Sequence, residues 1–168
     1  MRLARPEEYA QVGRITAAAY RADGLLDPVS LPVESGYEGQ LVDAARRARE
    51  AELWVADDDG VILGTVTWCP RGSPWRQLAQ RDDQGEFRML SVAPAGRRRG
   101  VGRALVDACL SRAKQDGMSE LVIWSHPLMT GAHALYLRMH FERAPDLDGS
   151  PAPGVQLWGF RFTLAASN

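Results

Sequence analysis

The segment that most constrains the fold is "EFRMLSVAPAGRRRGVGRALVDACLSRAKQDGMSELVIWS", residues 86–125. It opens with an alternating run that reads as a strand. A turn crowded with arginine and glycine follows, then an amphipathic helix over Gly100 to Gln115 carried by Val101, Leu105, Ala108 and Cys109. Gly117 is placed to stop that helix. "ELVIWS" is a short, nearly continuous apolar strand, the pattern of a strand buried on both faces. A strand–helix–strand crossover of this kind needs a sheet covered by helices, so the chain is a mixed α/β protein.

The flanking segments agree. Pro6 to Arg21 has proline in the first turn, Glu7 and Glu8 beside it, then Val12, Ile15 and Ala19, which predicts a helix. Residues 22–36 carry Gly24, Pro28, Pro32 and Gly36 and read as a loop. Tyr37 to Glu50 reads as one further helix on Leu41, Ala44, Ala45 and Ala48. "LWVADDDGVILGTVTWCP" is two strand-like runs joined at Asp-Gly, an antiparallel hairpin. Residues 70–84 form a polar connection. Thr130 to Phe141 predicts a helix with Thr130 as its N-cap, and "GVQLWGFRFTL" is strand-rich. No repeat or low-complexity linker divides residues 1–168, which predicts one α/β (α+β) domain with a largely antiparallel front half.

Composition excludes several functions. The 168 residues carry a formal net charge of −1, so no global attraction draws the chain to nucleic acid or anionic membranes. Anion binding must therefore be local. Cys69 and Cys109 are too few for a disulfide framework and match no zinc motif, and both read as core thiols. "MRLARPEEYAQ" has no apolar signal core, and no apolar run approaches the ~18–20 residues that span a bilayer. The expectation is a soluble, cytoplasmic protein. His126, His133 and His140 recur every seven residues, but Pro127 interrupts any shared helix and no carboxylate completes a ligand set, so no metal is expected. Of the five tryptophans, Trp75 lies in the polar connection and is the candidate for an exposed binding aromatic.

The arginine-glycine turn has its own chemistry. A helix start exposes unpaired N–H groups and the positive end of the dipole. Glycine lets a ligand approach that backbone, and arginine adds forked donors suited to phosphate oxygens. A nucleotide P-loop would need Gly-Lys followed by Ser or Thr, which the chain lacks. A dinucleotide fingerprint would need glycine where Leu105 stands.

On these residues the segment resembles the acetyl-CoA-binding motif of the GCN5-related N-acetyltransferase (GNAT) superfamily, Arg/Gln-x-x-Gly-x-Gly/Ala, with Arg97, Gly100 and Gly102 at the defined positions. The preceding strand "EFRMLSVAP" and the later "AHALYLRMHFERAPDLD" are similar too, and the resemblance covers essentially the whole chain. It implies a mixed, mostly antiparallel central sheet with splayed central strands, flanked by about four helices. It also implies acetyl-CoA as co-substrate. Backbone groups of Leu90, Ser91 and Val92 would pair with pantetheine. Arg97, Arg98, Arg99, Gly100, Val101, Gly102 and Arg103 would hold the pyrophosphate.

The activity implied is N-acetyl transfer straight to a primary amine of a small molecule or peptide, without an acyl-enzyme. No Ser–His or Cys–His pair stands at a spacing that suggests one. Tyr136 matches the family's general acid; without the resemblance it reads as a core tyrosine. Glu86, in the central strand and by alternation on the face of Arg88 and Leu90, is the candidate base, with a water chain as the alternative route. His140 stands where the family commonly has glycine, and Met129 where it often has asparagine. A non-catalytic acyl-CoA-binding sensor of the same fold is the alternative function, and relatives often form homodimers. The acceptor would lie between residues 22–37 and "APDLDGSPAPG", whose Asp23, Asp27, Glu34, Asp146 and Asp148 suggest a cationic amine.

Overall fold

Eight strands make the sheet in the computed structural model, which describes residues 1–26 and 36–164. They are β1 (Arg2–Leu3), β2 (Glu52–Asp58), β3 (Val61–Cys69), β4 (Gln84–Val92), β5 (Glu120–Ser125), β6 (Glu142–Arg143), β7 (Gly149–Ala152) and β8 (Val155–Thr163). Their order is β1-β2-β3-β4-β5-β8-β6, with β7 paired to β8. Every pairing is antiparallel except β4 with β5, the pair joined by the predicted crossover. The mixed, mostly antiparallel sheet is the one the resemblance implied. β1, β6 and β7 are short, and β1 and β7 were not foreseen in the sequence.

Among the described residues five α-helices cover the sheet: α1 (Tyr9–Ala22), α2 (Tyr37–Val42), α3 (Ala44–Glu50), α4 (Val101–Gln115) and α5 (Thr130–Arg138). The count exceeds the expected four because the helix predicted over Tyr37 to Glu50 is two. Asp43 leaves the helical region at φ −78°, ψ 66°, and its Oδ1 accepts from the Arg46 amide at 2.9 Å, capping α3. α5 starts one residue after Met129, and Thr130 is not its N-cap. It ends at Arg138 rather than Phe141, and His140 takes the left-handed conformation at φ 66°.

The two faces of the sheet are filled separately. On one, Trp68, Phe87, Leu105, Val106, Leu121, Tyr136 and Phe160 pack beneath α4 and α5. On the other, Val12, Leu41, Ala44, Leu53 and Val55 pack beneath α1 to α3. Both cysteines are free and buried, as expected, and burial pushes both thiols up. Trp75 corrects its expectation: it is 4% exposed, packed with Tyr20 and Leu41, with the Arg46 and Arg88 guanidiniums 5.3 and 5.8 Å from its ring. The residues around it form a connection in sequence but a lid over the core in space.

Two features of β4 position the site. First, it pairs with β5 only through Gln84–Glu86 against Glu120–Val122. Beyond that point β4 stays with β3 and β5 with β8, so the strands part. Second, β4 carries a bulge. Thr65 opposes Ser91 and Thr67 opposes Arg88, so Met89 and Leu90 share the single partner space of Val66. Met89 adopts φ 56° there. The bulge resets the alternation: Arg88 and Met89 both face α1, and Leu90 turns to the α4 face with Phe87. Glu86 therefore shares a face with Arg88 but not with Leu90.

Candidate active site

A groove of about 840 Å³ runs from the C-terminal end of β4 over the start of α4 to α5. Every residue expected to meet the cofactor lines it except Arg99. The reason is local. Arg99 Nη2 pairs with Asp58 on the β2–β3 hairpin at 2.8 Å, and its amide closes a turn onto Gly96 at 3.4 Å. The Arg97 amide is likewise spent on Pro94, at 3.2 Å. Among the described residues, the amides of Arg98, Gly100, Val101, Gly102 and Arg103 donate to no other residue. Left-handed conformations at Arg98 (φ 60°) and Gly100 (φ 78°) shape this row of donors, which is a concavity suited to phosphate oxygens. At Gly102 a Cβ would come within 3.2 Å of Leu135 Cδ2, so the glycine keeps α5 close to the helix start.

Arg97, Arg98 and Arg103 supply cationic side chains to the groove, and Arg138 from α5 adds a fourth. Arg138 escaped the sequence reading because it lies outside the motif, and only the packing of α5 across α4 brings it in. Leu90, Ser91 and Val92 line the same groove where β4 has left β5; Ser91 and Val92 pair on the β3 side alone, and Leu90 lies in the bulge. A diphosphate on an extended, amide-bearing arm fits these residues.

A second cavity, about 210 Å³, opens on the other side of the parted strands. Met129 lines both, so the groove and the cavity meet there. Glu86 is 1% exposed at the floor of this cavity. Its Oε2 accepts from the amides of Gln77, Leu78 and Ala79 at 2.9, 2.9 and 3.0 Å. Burial pushes its carboxyl above the usual carboxylate range, against those three donors and nearby Arg88. All three bonds fall on one oxygen, so Oε1 remains for a substrate or water.

Ser125, at the end of β5, lines the same cavity, and its Oγ lies 3.0 Å from Nε2 of His133. The His133 ring stacks on Trp158 at a centroid distance of 5.4 Å, and burial lowers its pKa. Their spacing in the sequence did not reveal this pair; the turn into α5 folds one over the other. Among the described residues no group of three His, Cys, Asp or Glu side chains could hold a metal.

Tyr136 lies elsewhere. It is 4% exposed, set among Phe87, Phe141 and Phe160 with centroids 5.6–6.1 Å away, and lines neither cavity, although Leu135 and Met139 beside it line the groove. Burial pushes its phenol well up, so it stays protonated. Of the expected acidic rim, Asp146 pairs with Arg161 at 2.8 Å and Asp148 with Arg143 at 2.6 Å. Asp23 lines the groove instead, and Asp27 and Glu34 lie outside the described residues. No helix among the described residues is long and apolar enough to cross a membrane.

Comparison with known proteins places these features in a family. The family model described as acetyltransferase (GNAT) family matches residues 18–141. The chain is 39% identical over 94 residues to N-acetyltransferase family 8 member 3 of Rattus norvegicus, covering 56% of this chain and 40% of that one. It is 31% identical over 135 residues to mycothiol acetyltransferase of Cellulomonas flavigena, covering 71% and 39%. The match thus spans about two fifths of each relative's length. The fold superposes on yncA of Salmonella typhimurium, solved with its cofactor acetyl-CoA, with TM-score 0.65, 18% identity and coverage of 99% and 94%.

Proposed function

The chain belongs to the acetyltransferase (GNAT) family, and on that premise we propose that residues 1–168 act as one acetyl-CoA-dependent N-acetyltransferase domain that moves an acetyl group directly to a primary amine. The observation that carries this reading is the joining of two cavities at Met129, where β4 and β5 part. One is rimmed by unpaired amides and arginines and the other is floored by a buried carboxylate.

Acetyl-CoA supplies the thioester carbon that the amine attacks. The protein's part is to bind, orient and move protons. The free amides of Arg98 and Gly100 to Arg103, with the Arg97, Arg98, Arg103 and Arg138 side chains, hold the diphosphate. The open edge of Leu90–Val92 aligns the arm that bears the thioester. Glu86, poised by burial nearer to neutrality than an ordinary carboxylate, takes the amine's proton. Ser125 backed by His133 is the second proton route available in the same cavity.

Tyr136 keeps the proton that a departing thiolate needs but sits behind the groove wall, and this position favours the alternative of a non-catalytic acyl-CoA sensor. Two measurements decide. Calorimetry should detect CoA uptake, and thiol release from acetyl-CoA with a panel of amines should follow. Uptake without release identifies the sensor; no uptake by folded protein removes both readings. Tyr136→Phe, which preserves the ring packing, should cut turnover by about tenfold or more while sparing CoA affinity; unchanged turnover takes the tyrosine off the proton path.

A further inference from the structure

Among the described residues, the smaller cavity carries charge of both signs. Glu86 and Arg88, two residues apart on one face of β4, both line it, yet they form no ion pair with each other. The carboxylate is turned to the amides of residues 77–79. Arg88 donates from Nη1 to the Trp75 carbonyl at 3.1 Å and lies 5.8 Å from the Trp75 ring. Among the described residues it has no carboxylate within ion-pair distance, and its other donors have no protein acceptor.

A second guanidinium reinforces it. Arg47 of α3 is fully buried near Arg88, close enough for the two charges to interact. It is held by Thr67 Oγ1 at 3.1 Å, Thr16 Oγ1 at 3.1 Å and the Leu41 carbonyl at 2.9 Å, and its Nε has no partner. Burial lowers it only to about 10, so it remains charged at neutral pH. Among the described residues, Arg88 in the cavity wall and Arg47 buried behind it thus stand against the one lining carboxylate, Glu86. The aspartates of the neighbouring loop are neutralised by Arg161 and Arg143. The rest of the lining is largely apolar or aromatic, including Leu25, Met89, Trp124 and Leu157.

We propose that this cavity selects an acceptor bearing a carboxylate next to its amine, an α-amino acid with an apolar side chain, and that Arg88 binds the carboxylate. The inference rests on the acetyltransferase reading for the cavity's role but not for its binding chemistry. Residues two apart on one face of a strand are separated by about 6.6 Å along it. A zwitterion whose ammonium faces Glu86 and whose carboxylate faces Arg88 bridges such a span with each charge matched. A forked guanidinium suits a carboxylate, and a dication would be repelled by Arg88 and Arg47.

The test is binding to CoA-saturated protein, measured by calorimetry. Leucine, methionine and phenylalanine are compared with the amines that lack only the carboxylate. The amino acids should bind about 30-fold or more tighter, the worth of a charge-assisted hydrogen-bonded pair. Arg88→Gln, checked for retained CoA uptake, should bring the two classes within about threefold. Arg88→Lys, the fallback should the glutamine variant not fold, should keep part of the preference. Equal or tighter binding of the plain amines, no binding of any amino acid, or a preference that survives Arg88→Gln would each overturn the assignment. Thiol release is read separately: amino acids that bind through Arg88 without being acetylated would sink the enzyme reading and leave the site standing.

Discussion

A buried carboxylate is costly unless something stabilises it, and Glu86 has three backbone donors on one oxygen. Its pH behaviour follows. As a base it works ionised, and burial raises its pKa, so kcat/KM should fall as pH drops through a value above the usual ~4.3 of glutamate. Glu86→Gln should lower kcat by about 100-fold and abolish that acid limb. If the limb persists in the glutamine variant, Ser125 and His133 carry the proton instead. Glu86 was legible in the sequence as a charged residue in a central strand, but its donors were not, since they come from a connection without regular structure. The face assigned to Leu90 was wrong for a definite reason. Alternation assumes two residues per repeat, and nothing in "FRMLSV" announces that Met89 adopts a positive φ and inserts one extra. The direction of Arg99 is equally hidden in the sequence: a motif names the residue, while an aspartate in a distant hairpin pairs with its side chain.

At the scale of elements, segments with strong local signals were read correctly. Asp59 and Gly60, both at positive φ, turn the β2–β3 hairpin, and Gly117 at φ 66° follows α4. Boundaries set by a single polar side chain were missed, as at Asp43, where one capping bond divides α2 from α3. The end of α5 offers a test. His140 is exposed and adopts φ 66°, a conformation that costs a non-glycine residue about 1 kcal/mol. His140→Gly should relieve it. Glycine's extra freedom in the unfolded chain offsets part of the gain, leaving about 0.5 kcal/mol of added stability in urea unfolding, with activity unchanged. A loss of stability would mean that the imidazole makes a contact worth more than the strain.

Across the whole molecule, the crossover visible in residues 86–125 is what sets the groove, because it places the start of α4 at the end of β4. This much the pattern of apolar residues could reveal; the meeting of the groove with the smaller cavity at Met129 could not, since it depends on where α1, α5 and β8 pack. Gly102→Asp should abolish CoA binding, because the new side chain both crowds Leu135 and sets a carboxylate among the phosphate donors. With the native protein, CoA at 100 times its Kd should add about 2.7 kcal/mol to unfolding stability, and the variant should gain nothing. A variant stabilised as much as the native protein would place the diphosphate elsewhere.

The parting of β4 from β5 has a mechanical side as well. A joint only three residue pairs long connects the wing β1–β4 to the wing formed by β5, β8 and β6. So short a joint carries little bending load by itself, and the core beneath α4 and α5, drawn from both wings, holds the angle of the fork. Capture of a long, thin molecule there would brace the protein, coupling occupancy to the rigidity of both halves at once.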